Sequence, residues 1–297
     1  MSRRKDFYQW QGPRPVITAG DTQVRLPVFY HHNDVFMSLH AASYDAVADE
    51  LPSEVIRPAR WRDGRALVAV TAFRYHAITW TAADGSTSSL APYGEISVAA
   101  VVTTGEAPRV LPLLAGQLRG FVLHLPVTTI EAREGGIAGW GFPKFVADMD
   151  FTEDPSFRRV VLSEGGSPIL TLTVRPRGPV LAERRPLVAY TTLHGELLET
   201  VVPVLGHMQA RLGGGGELLL GDHEVANRLR RLGISPAPLA VFSYLDHRSI
   251  LPAGTPTGPA RDYHGYTGAD RAFGRFTVSY PDTPPLDQYA TPALAKQ

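Results

Sequence analysis

The chain contains no cysteine, carries no net charge and has no long hydrophobic run. The absence of cysteine from 297 residues excludes disulfides, thiolate nucleophiles, zinc ribbons and iron–sulfur clusters. The 29 basic residues balance 29 acidic ones, which argues against a general nucleic-acid-binding protein or a polybasic membrane-surface protein. No apolar run approaches the roughly 18 residues of a spanning helix, and no apolar segment follows the positive charges of residues 1–10, so we expect no signal peptide. These absences predict a soluble, cytoplasmic globular protein.

Lysine is scarce, and its distribution is informative. Only three of the 29 basic residues are lysines, namely Lys5, Lys144 and Lys296, and the first and last lie near the ends of the chain. Lys144 lies instead inside Gly139–Val146, among apolar neighbours. A lysine can lose its proton and form an imine, whereas an arginine can do neither. Because burial among apolar groups lowers a lysine pKa, Lys144 is a candidate amine nucleophile. The alternative is a lysine whose charged end reaches out to solvent.

Short apolar stretches separated by turns indicate a protein made mainly of strands. We predict strands at 24–30, 35–39, 66–73, 96–103, 145–151, 159–162, 169–174, 187–192 and 239–245. Helices are predicted at 43–51, at 129–134 up to Gly135-Gly136, at 196–212 with a kink at Pro203, and at 223–232. We find no repeat and no regular strand–helix alternation, so we expect an antiparallel sheet or barrel with a few peripheral helices.

The domain organisation follows from composition. We predict one domain over residues 1–280, beginning with an N-terminal arm of about 20 residues. We expect residues 281–297 to form a loose tail, because the chain is rich in Pro, Gly and Thr after Leu251.

A carboxylate opens the strand predicted at 96–103. Glu95 follows Tyr93-Gly94 and precedes an apolar, valine-rich run. A carboxylate at this point either faces a cavity in the sheet or is a solvated strand end, and the residues alone leave both open.

Together, the two segments resemble the acetoacetate decarboxylase family. Members of that family carry a Gly-aromatic-Pro-Lys segment whose lysine forms a Schiff base with the keto substrate, and Gly141–Lys144 matches it. They also carry an earlier Tyr-x-Glu element, matched by Tyr93-Gly94-Glu95. The resemblance extends over roughly residues 20–250. It implies an α+β fold that is mainly antiparallel β, a cone or closed barrel around an apolar cavity with a few peripheral helices, in a homo-oligomer.

Three charged residues of the family pattern are absent here. In the acetoacetate decarboxylases a second lysine follows the Schiff-base lysine, and its charge helps to lower the pKa of the amine; this chain has Phe145 there. The family's N-terminal arginine, which receives the substrate carboxylate, is matched by Asn33. Arg25 and Arg74 are the candidate substitutes. A second family glutamate falls near Thr71.

The resemblance assigns roles to particular residues. It implies Lys144 as the Schiff-base nucleophile and Glu95 as the group that orients the substrate and moves protons. The other candidates are expected to bind substrate: Tyr93, Trp140, Phe142, Phe145, Arg25 and Arg74. No cofactor is implied, because the imine is itself the electron sink. No metal is expected either, since adjacent histidines such as His31-His32 point to opposite faces of a strand.

The implied function is therefore that of a Schiff-base lyase acting on a ketone or keto acid. The expected reaction is decarboxylation or aldol condensation with dehydration, in secondary metabolism, with no nucleic-acid or membrane partner. Two alternatives stay open. One is an imine-independent cyclase or dehydratase of a larger biosynthetic intermediate, and the other is a non-catalytic barrel that binds an apolar ligand.

Overall fold

A computed structural model describes residues 7–105, 117–268 and 278–279 of the chain. Most of these residues lie in strands, and nearly all neighbouring strands are antiparallel. In chain order the strands are β1 (Val16–Ala19), β2 (Thr22–Ala42), β3 (Arg57–Pro58), β4 (Ala66–Ala82), β5 (Thr87–Leu90), β6 (Tyr93–Thr103), β7 (Arg119–His124), β8 (Asp148–Asp154), β9 (Phe157–Glu164), β10 (Ser167–Val174), β11 (Val180–Glu183), β12 (Leu187–Leu193), β13 (Glu196–Val202), β14 (Val204–Leu212), β15 (Gly216–Leu220), β16 (Ala240–Leu251), β17 (Thr255–Pro259) and β18 (Val278–Ser279).

The larger sheet has 13 strands and wraps around a cavity. Its order is β11-β14-β16-β2-β4-β6-β7-β12-β13-β17, with β1, β3 and β5 paired to β2, β6 and β4. Residues from β2, β4, β6, β7, β12 and β16 line one common cavity, so the expected mainly antiparallel fold around a cavity is confirmed. The closed barrel is not, because the hydrogen-bonded order of the described strands begins at β11 and ends at β17.

The smaller sheet covers the outer face of the larger one. It has five strands in the order β15-β10-β9-β8-β18. Along the central strands of the larger sheet, one set of alternate side chains lines the cavity and the other set packs against the smaller sheet. The packed set includes Phe36, Val70 and Ile96, which are buried in one core cluster with Val160 and Leu172 of the smaller sheet. The central strands are therefore buried on both faces.

Three helices accompany the sheets in the described residues: α1 (Tyr44–Glu50), α2 (Ile130–Trp140) and α3 (Glu224–Arg231). The predicted first helix is confirmed, and the Ser43 side chain accepts the Ala46 N–H as its N-cap. The predicted last helix is also confirmed, and His223 caps it by accepting the Val225 N–H. No helix in this part of the chain is both long and apolar enough to cross a membrane.

The predicted turn between the strands at 24–30 and 35–39 is wrong. Residues 31–34 do not separate two strands but continue β2, which runs from Thr22 to Ala42. The polar side chains in this stretch find partners on neighbouring strands. His31 shares a hydrogen bond with Thr79 at 2.7 Å, Asn33 donates to His247 at 3.0 Å, and Asp34 accepts from Arg74. These hydrogen bonds offset part of the cost of burying polar side chains in mid-strand.

The helix predicted at 196–212 is also wrong, because the segment forms β13 and β14. The spacing of its leucines and valines suits a helix, but long-range pairing with β12 and β16 decides the conformation. Pro203 separates the two strands, and its carbonyl accepts the Ile250 N–H at 3.1 Å. The glycines at 213–216 then join β14 to β15, three of them with positive φ.

Burial of neutral histidines predicts a loss of stability in mild acid. Burial lowers the pKa of His40 to about 4, while an unfolded histidine titrates at about 6.5. The unfolded state therefore binds more protons between these values, and the free energy of unfolding falls as the pH falls from 6.5 towards 4.5. Three further histidines behave alike, with their pKa lowered by burial to about 4, about 3 and about 4: His31, His124 and His247.

Replacement of one of these histidines should remove its share of the proton uptake. We expect His40→Gln to reduce the slope of the unfolding free energy against pH, around pH 5, by about 1.4 kcal/mol per pH unit. Urea denaturation at several pH values between 4.5 and 6.5 measures this slope. His207→Gln is the matched control, since His207 is exposed in β14. Equal slopes for wild type and His40→Gln would contradict the assignment.

Candidate active site

Lys144 lies just after helix α2, in a segment whose backbone is tightly constrained. Gly141 ends the helix with φ +64, and a Cβ there would lie 1.9 Å from the carbonyl oxygen of Thr192. Only glycine fits both the conformation and the space. The chain then turns at Pro143, where the Lys144 N–H donates to the Phe142 carbonyl at 2.8 Å. The turn directs the lysine side chain towards the interior, where Lys144 is only 6% exposed.

Helix α2 passes directly over the lysine side chain. The expectation that Gly135-Gly136 ends this helix is wrong, since it continues to Trp140. A Cβ on Gly136 would lie 2.5 Å from Cε of Lys144 and 2.9 Å from its Nζ. Gly136 therefore makes room for the lysine, and the helix in turn supplies a partner, because Nζ donates to the Ala132 carbonyl at 3.2 Å.

Glu95 is brought to the lysine by a short connecting segment, residues 125–128, that lies between β6 and the segment containing Lys144. The Ile96 N–H donates to the Pro126 carbonyl at 3.0 Å, and the Val127 N–H donates to the Phe145 carbonyl at 2.9 Å. As a result Nζ of Lys144 donates to Oε2 of Glu95 at 2.7 Å. Their side chains are only 5% and 9% exposed, so the two charges form a buried ion pair.

Three tyrosines surround the carboxylate. Tyr75 donates its hydroxyl to Oε1 of Glu95 at 3.0 Å, and the hydroxyls of Tyr30 and Tyr93 share a hydrogen bond at 3.2 Å. Burial first, and then the Glu95 charge, raise the pKa of Tyr75 and Tyr30. Both phenols are therefore protonated donors at neutral pH. Sequence reasoning missed Tyr75, although the alternation of Thr71, Phe73 and Tyr75 on β4 marks one face of the strand.

Two cavities meet at Lys144. The inner cavity, inside the curved sheet, has a volume of about 150 Å³. The outer one, of about 380 Å³, lies between α2 and the strands β1 and β2. Four residues border both: Tyr30, Phe142, Lys144 and Leu251. The lysine amine is therefore placed between a smaller chamber inside the sheet and a larger one beside the helix.

Several residues predicted from the sequence gather around these cavities. Glu95 lines the inner cavity, Tyr93 and Trp140 line the outer one, and Phe142 borders both. The Trp140 indole N–H donates to the Pro252 carbonyl at 2.7 Å, which fixes the ring in the cavity wall.

The remaining three predicted substrate-binding residues do not reach either cavity. Phe145 is fully buried on the opposite side, with its ring edge-on to Tyr266 at 4.9 Å. Arg74 lies on the outer face of β4, because its neighbours Phe73 and Tyr75 face inwards. Arg25 is half-buried in β2 and lines neither cavity. The predicted substrate-binding roles of these three residues are therefore not supported by their positions.

A histidine–aspartate cluster lies outside the cavities. Potential ligand atoms of His32, Asp34 and His76 lie within 4.8 Å of one another. Oδ2 of Asp34, however, already accepts from Nη2 of Arg74 at 2.5 Å and shares a hydrogen bond with Nε2 of His76 at 2.6 Å. Burial alone would raise the pKa of Asp34, but His76 and Arg74 together lower it. The guanidinium thus neutralises the carboxylate, and the cluster is an ion-pair network.

Solved structures with the same fold include several enzymes. Acetoacetate decarboxylase from Legionella pneumophila is 16% identical, with a TM-score of 0.59 over 87% of this chain and 96% of that one. The enduracididine biosynthesis enzyme MppR, solved with the condensation product of pyruvate and imidazole 4-carboxaldehyde, is 14% identical, with a TM-score of 0.55 over 84% and 92%. An acetoacetate decarboxylase-like enzyme from Sphingomonas wittichii RW1 is 15% identical, with a TM-score of 0.55 over 78% and 93%.

Comparison at the level of sequence gives the family. No curated protein sequence matches the chain. The family model described as acetoacetate decarboxylase (ADC) matches residues 14–224, which is well over half of the chain and includes both Glu95 and Lys144. The match to the family model, together with the shared fold, shows that the chain belongs to the acetoacetate decarboxylase family.

Proposed function

We propose that the protein is a Schiff-base lyase that acts on a ketone or keto acid, by decarboxylation or by aldol condensation with dehydration. The observation that carries this proposal is the position of the Lys144 amine. It is buried, it lies 2.7 Å from a carboxylate oxygen of Glu95, and it borders two cavities. An amine so placed can reach a carbonyl carbon without leaving the protein interior.

The Glu95 carboxylate fits the role of proton carrier. An ammonium cannot attack a carbonyl, so the lysine must first lose a proton, and the nearest acceptor is Oε2 of Glu95. The free amine of Lys144 adds to the carbonyl carbon. The carbonyl oxygen then takes protons, one of them from Glu95, and leaves as water to give an iminium. Tyr75, which donates to the other oxygen of Glu95, holds the carboxylate in place.

The iminium accepts the electron pair released in the next step. When a carboxylate leaves as carbon dioxide, or an α-proton leaves to a base, the electrons move to the iminium nitrogen and form an enamine. The enamine carbon then takes a proton or attacks an aldehyde, and hydrolysis by water releases the product and the free lysine. The aldol branch is supported by MppR, which has the same fold and was solved with a condensation product.

The surroundings of the amine suit this chemistry. Phe142, Leu125 and Val122 line the inner cavity beside apolar residues of the sheet. An apolar wall excludes water that would hydrolyse the iminium too early. We further propose that no external cofactor takes part, that Tyr93, Trp140 and Phe142 contact the substrate, and that the protein is a cytoplasmic homo-oligomer of secondary metabolism.

An imine-independent reaction is the second candidate. The amine and Glu95 are already paired with each other, and a carboxylate beside three buried tyrosines can move protons without a covalent intermediate. A non-catalytic barrel that binds an apolar ligand is the third. These candidates differ in one respect that can be measured, namely whether Lys144 is modified by a ketone.

Borohydride trapping tests the imine. We expect sodium borohydride, with acetoacetate or pyruvate, to leave a reduced adduct that peptide mapping assigns to Lys144. Lys144→Arg keeps the positive charge beside Glu95 but cannot form an imine, so it should give no adduct and no turnover. Lys5 and Lys296 remain in the variant and report non-specific modification. Turnover that survives in Lys144→Arg would favour the imine-independent reaction.

Substitution of Glu95 tests proton transfer. Glu95→Gln keeps the size and the Tyr75 hydrogen bond but cannot accept a proton, so the rate of imine formation should fall by about 10²–10⁴-fold. Absorbance of the adduct with acetylacetone measures this rate. Tyr75→Phe is the control, because it removes the hydrogen bond at 3.0 Å and keeps the carboxylate. The rate of imine formation should fall less in Tyr75→Phe than in Glu95→Gln. An unchanged rate in Glu95→Gln would exclude Glu95 as the proton carrier.

Two adjacent glycines of helix α2, Gly135 and Gly136, provide a matched pair of substitutions. Gly136→Ala places a Cβ 2.5 Å from Cε of Lys144, whereas Gly135→Ala meets no atom within 4 Å. Both changes favour the helix, by roughly 1 kcal/mol. We therefore expect Gly135→Ala to raise the melting temperature and leave imine formation unchanged, while Gly136→Ala displaces the amine and slows imine formation at least tenfold. Equal imine rates in the two variants would contradict this geometry.

A further inference from the structure

The inner cavity has a polar wall on strand β16 that no step above uses. The cavity-lining residues of this strand are Tyr244, His247, Ser249 and Leu251. The last three follow the two-residue period of a strand, but the step from Tyr244 to His247 is three residues. A β-bulge lies at this step: the pairing with β2 shifts between Tyr244 and His247, and Asp246 has a positive φ of 57°. The bulge directs His247 into the cavity.

The neighbouring strand is shaped to accept the bulge. Gly206 lies opposite it on β14, and a Cβ there would lie 2.7 Å from the Asp246 carbonyl oxygen and 3.1 Å from Cα of His247. A non-glycine residue in the left-handed region is uncommon and persists where the surrounding structure holds it. Asp246 on β16 and Gly206 on β14 thus together allow the His247 side chain to point into the cavity.

The histidine is neutral and its tautomer is set by an asparagine. Burial lowers the pKa of His247 to about 4, with a smaller opposing effect of Glu183 and a further lowering by Arg248. Asn33, which is fully buried and directly opposite on β2, donates its side-chain N–H to Nδ1 at 3.0 Å. Because Nδ1 accepts, the ring proton lies on Nε2. No group in the described part of the chain accepts a hydrogen bond from Nε2.

We propose that His247 is a specificity-determining residue, whose Nε2–H donates to a second, uncharged oxygen of the keto substrate. The inference rests on the proposed Schiff-base function, since it places this oxygen relative to the carbonyl at Lys144. Leu251 borders both cavities together with Lys144. His247 precedes Leu251 by four residues of β16, or about 13 Å at the backbone. Ser249 lies between them on the same wall.

The chemistry of the wall favours a carbonyl, hydroxyl or ether oxygen over a carboxylate. No arginine among the described residues lines the inner cavity, and its one lysine is paired with Glu95. A carboxylate that enters such a chamber loses its hydration without gaining an unpaired positive charge. A neutral oxygen loses far less and gains the hydrogen bond from His247.

Matched ketones test the proposal through trapping at Lys144. The probes are 5-methoxy-2-pentanone, 2-heptanone, in which a CH₂ replaces the ether oxygen, and 5-oxohexanoate, which carries a carboxylate. We expect wild type to be half-saturated by the ether ketone at a concentration five- to tenfold lower than by 2-heptanone, the effect of one net hydrogen bond. 5-Oxohexanoate should need the highest concentration.

Two variants of His247 complete the experiment. His247→Phe should abolish the preference for the ether ketone and leave the trapping of 2-heptanone unchanged, while His247→Gln, which keeps an N–H donor, should retain part of it. A His247→Phe protein that still prefers the ether ketone overturns the proposal, and so does a wild type that prefers 5-oxohexanoate or shows no preference. Absence of an adduct from every ketone would instead overturn the Schiff-base function, and this inference with it.

Discussion

The buried ion pair between Lys144 and Glu95 is the constraint on which the architecture of the site depends. Removing two charges from water costs several kcal/mol for each ion, and the mutual attraction offsets this only when the geometry is good and the remaining polar atoms are satisfied. Here Nζ also donates to the Ala132 carbonyl and the second carboxylate oxygen accepts from Tyr75. Helix α2, strand β4 and the segment at 125–128 are each needed for one of these contacts, so the pair ties together elements that are distant in sequence.

The same ion pair explains why the predicted end of the helix before Lys144 is wrong. A pair of glycines is typical of a helix end, and Gly135-Gly136 was predicted to be one. In the structure the helix continues, because Gly136 is required by the lysine side chain beneath it rather than by the backbone. The scarcity of lysine singled out Lys144, and the resemblance of Tyr93-Gly94-Glu95 to the family element singled out Glu95. The helix that covers the lysine could not be deduced, since its glycine responds to a contact between residues far apart in the fold.

Some strands could be predicted from the local sequence, whereas others depend on pairing between segments that are distant in the chain. Central strands such as β4 and β6 were predicted from their valine-rich runs because burial on both faces leaves a continuous apolar signal. Segment 196–212 was predicted as a helix because its apolar spacing is compatible with one, and only the pairing of β13 with β12 and of β14 with β16 excludes it. For the site, the face to which each side chain of a strand points is more informative than the presence of the strand. Once Glu95 is placed opposite Phe73, alternation alone turns Arg74 away from the cavity, and the expectation for this arginine fails.

At a β-bulge, the regular alternation of side chains no longer predicts which residues face the cavity. The polar wall of the inner cavity depends on such a bulge. Continuing the period of two from Tyr244 would place Asp246 and Arg248 in the cavity and turn His247 outwards. The bulge at Asp246 reverses this assignment. It exchanges a charged pair, in which Arg248 donates to Asp246 outside the cavity, for a neutral imidazole within it. A chamber that holds Lys144 and Glu95 already contains two charges of opposite sign, and a second pair would compete with them for the same partners. The inserted residue therefore keeps the lysine and the glutamate paired with each other, and it leaves the far wall to a group that binds substrate without altering the charge balance at the amine.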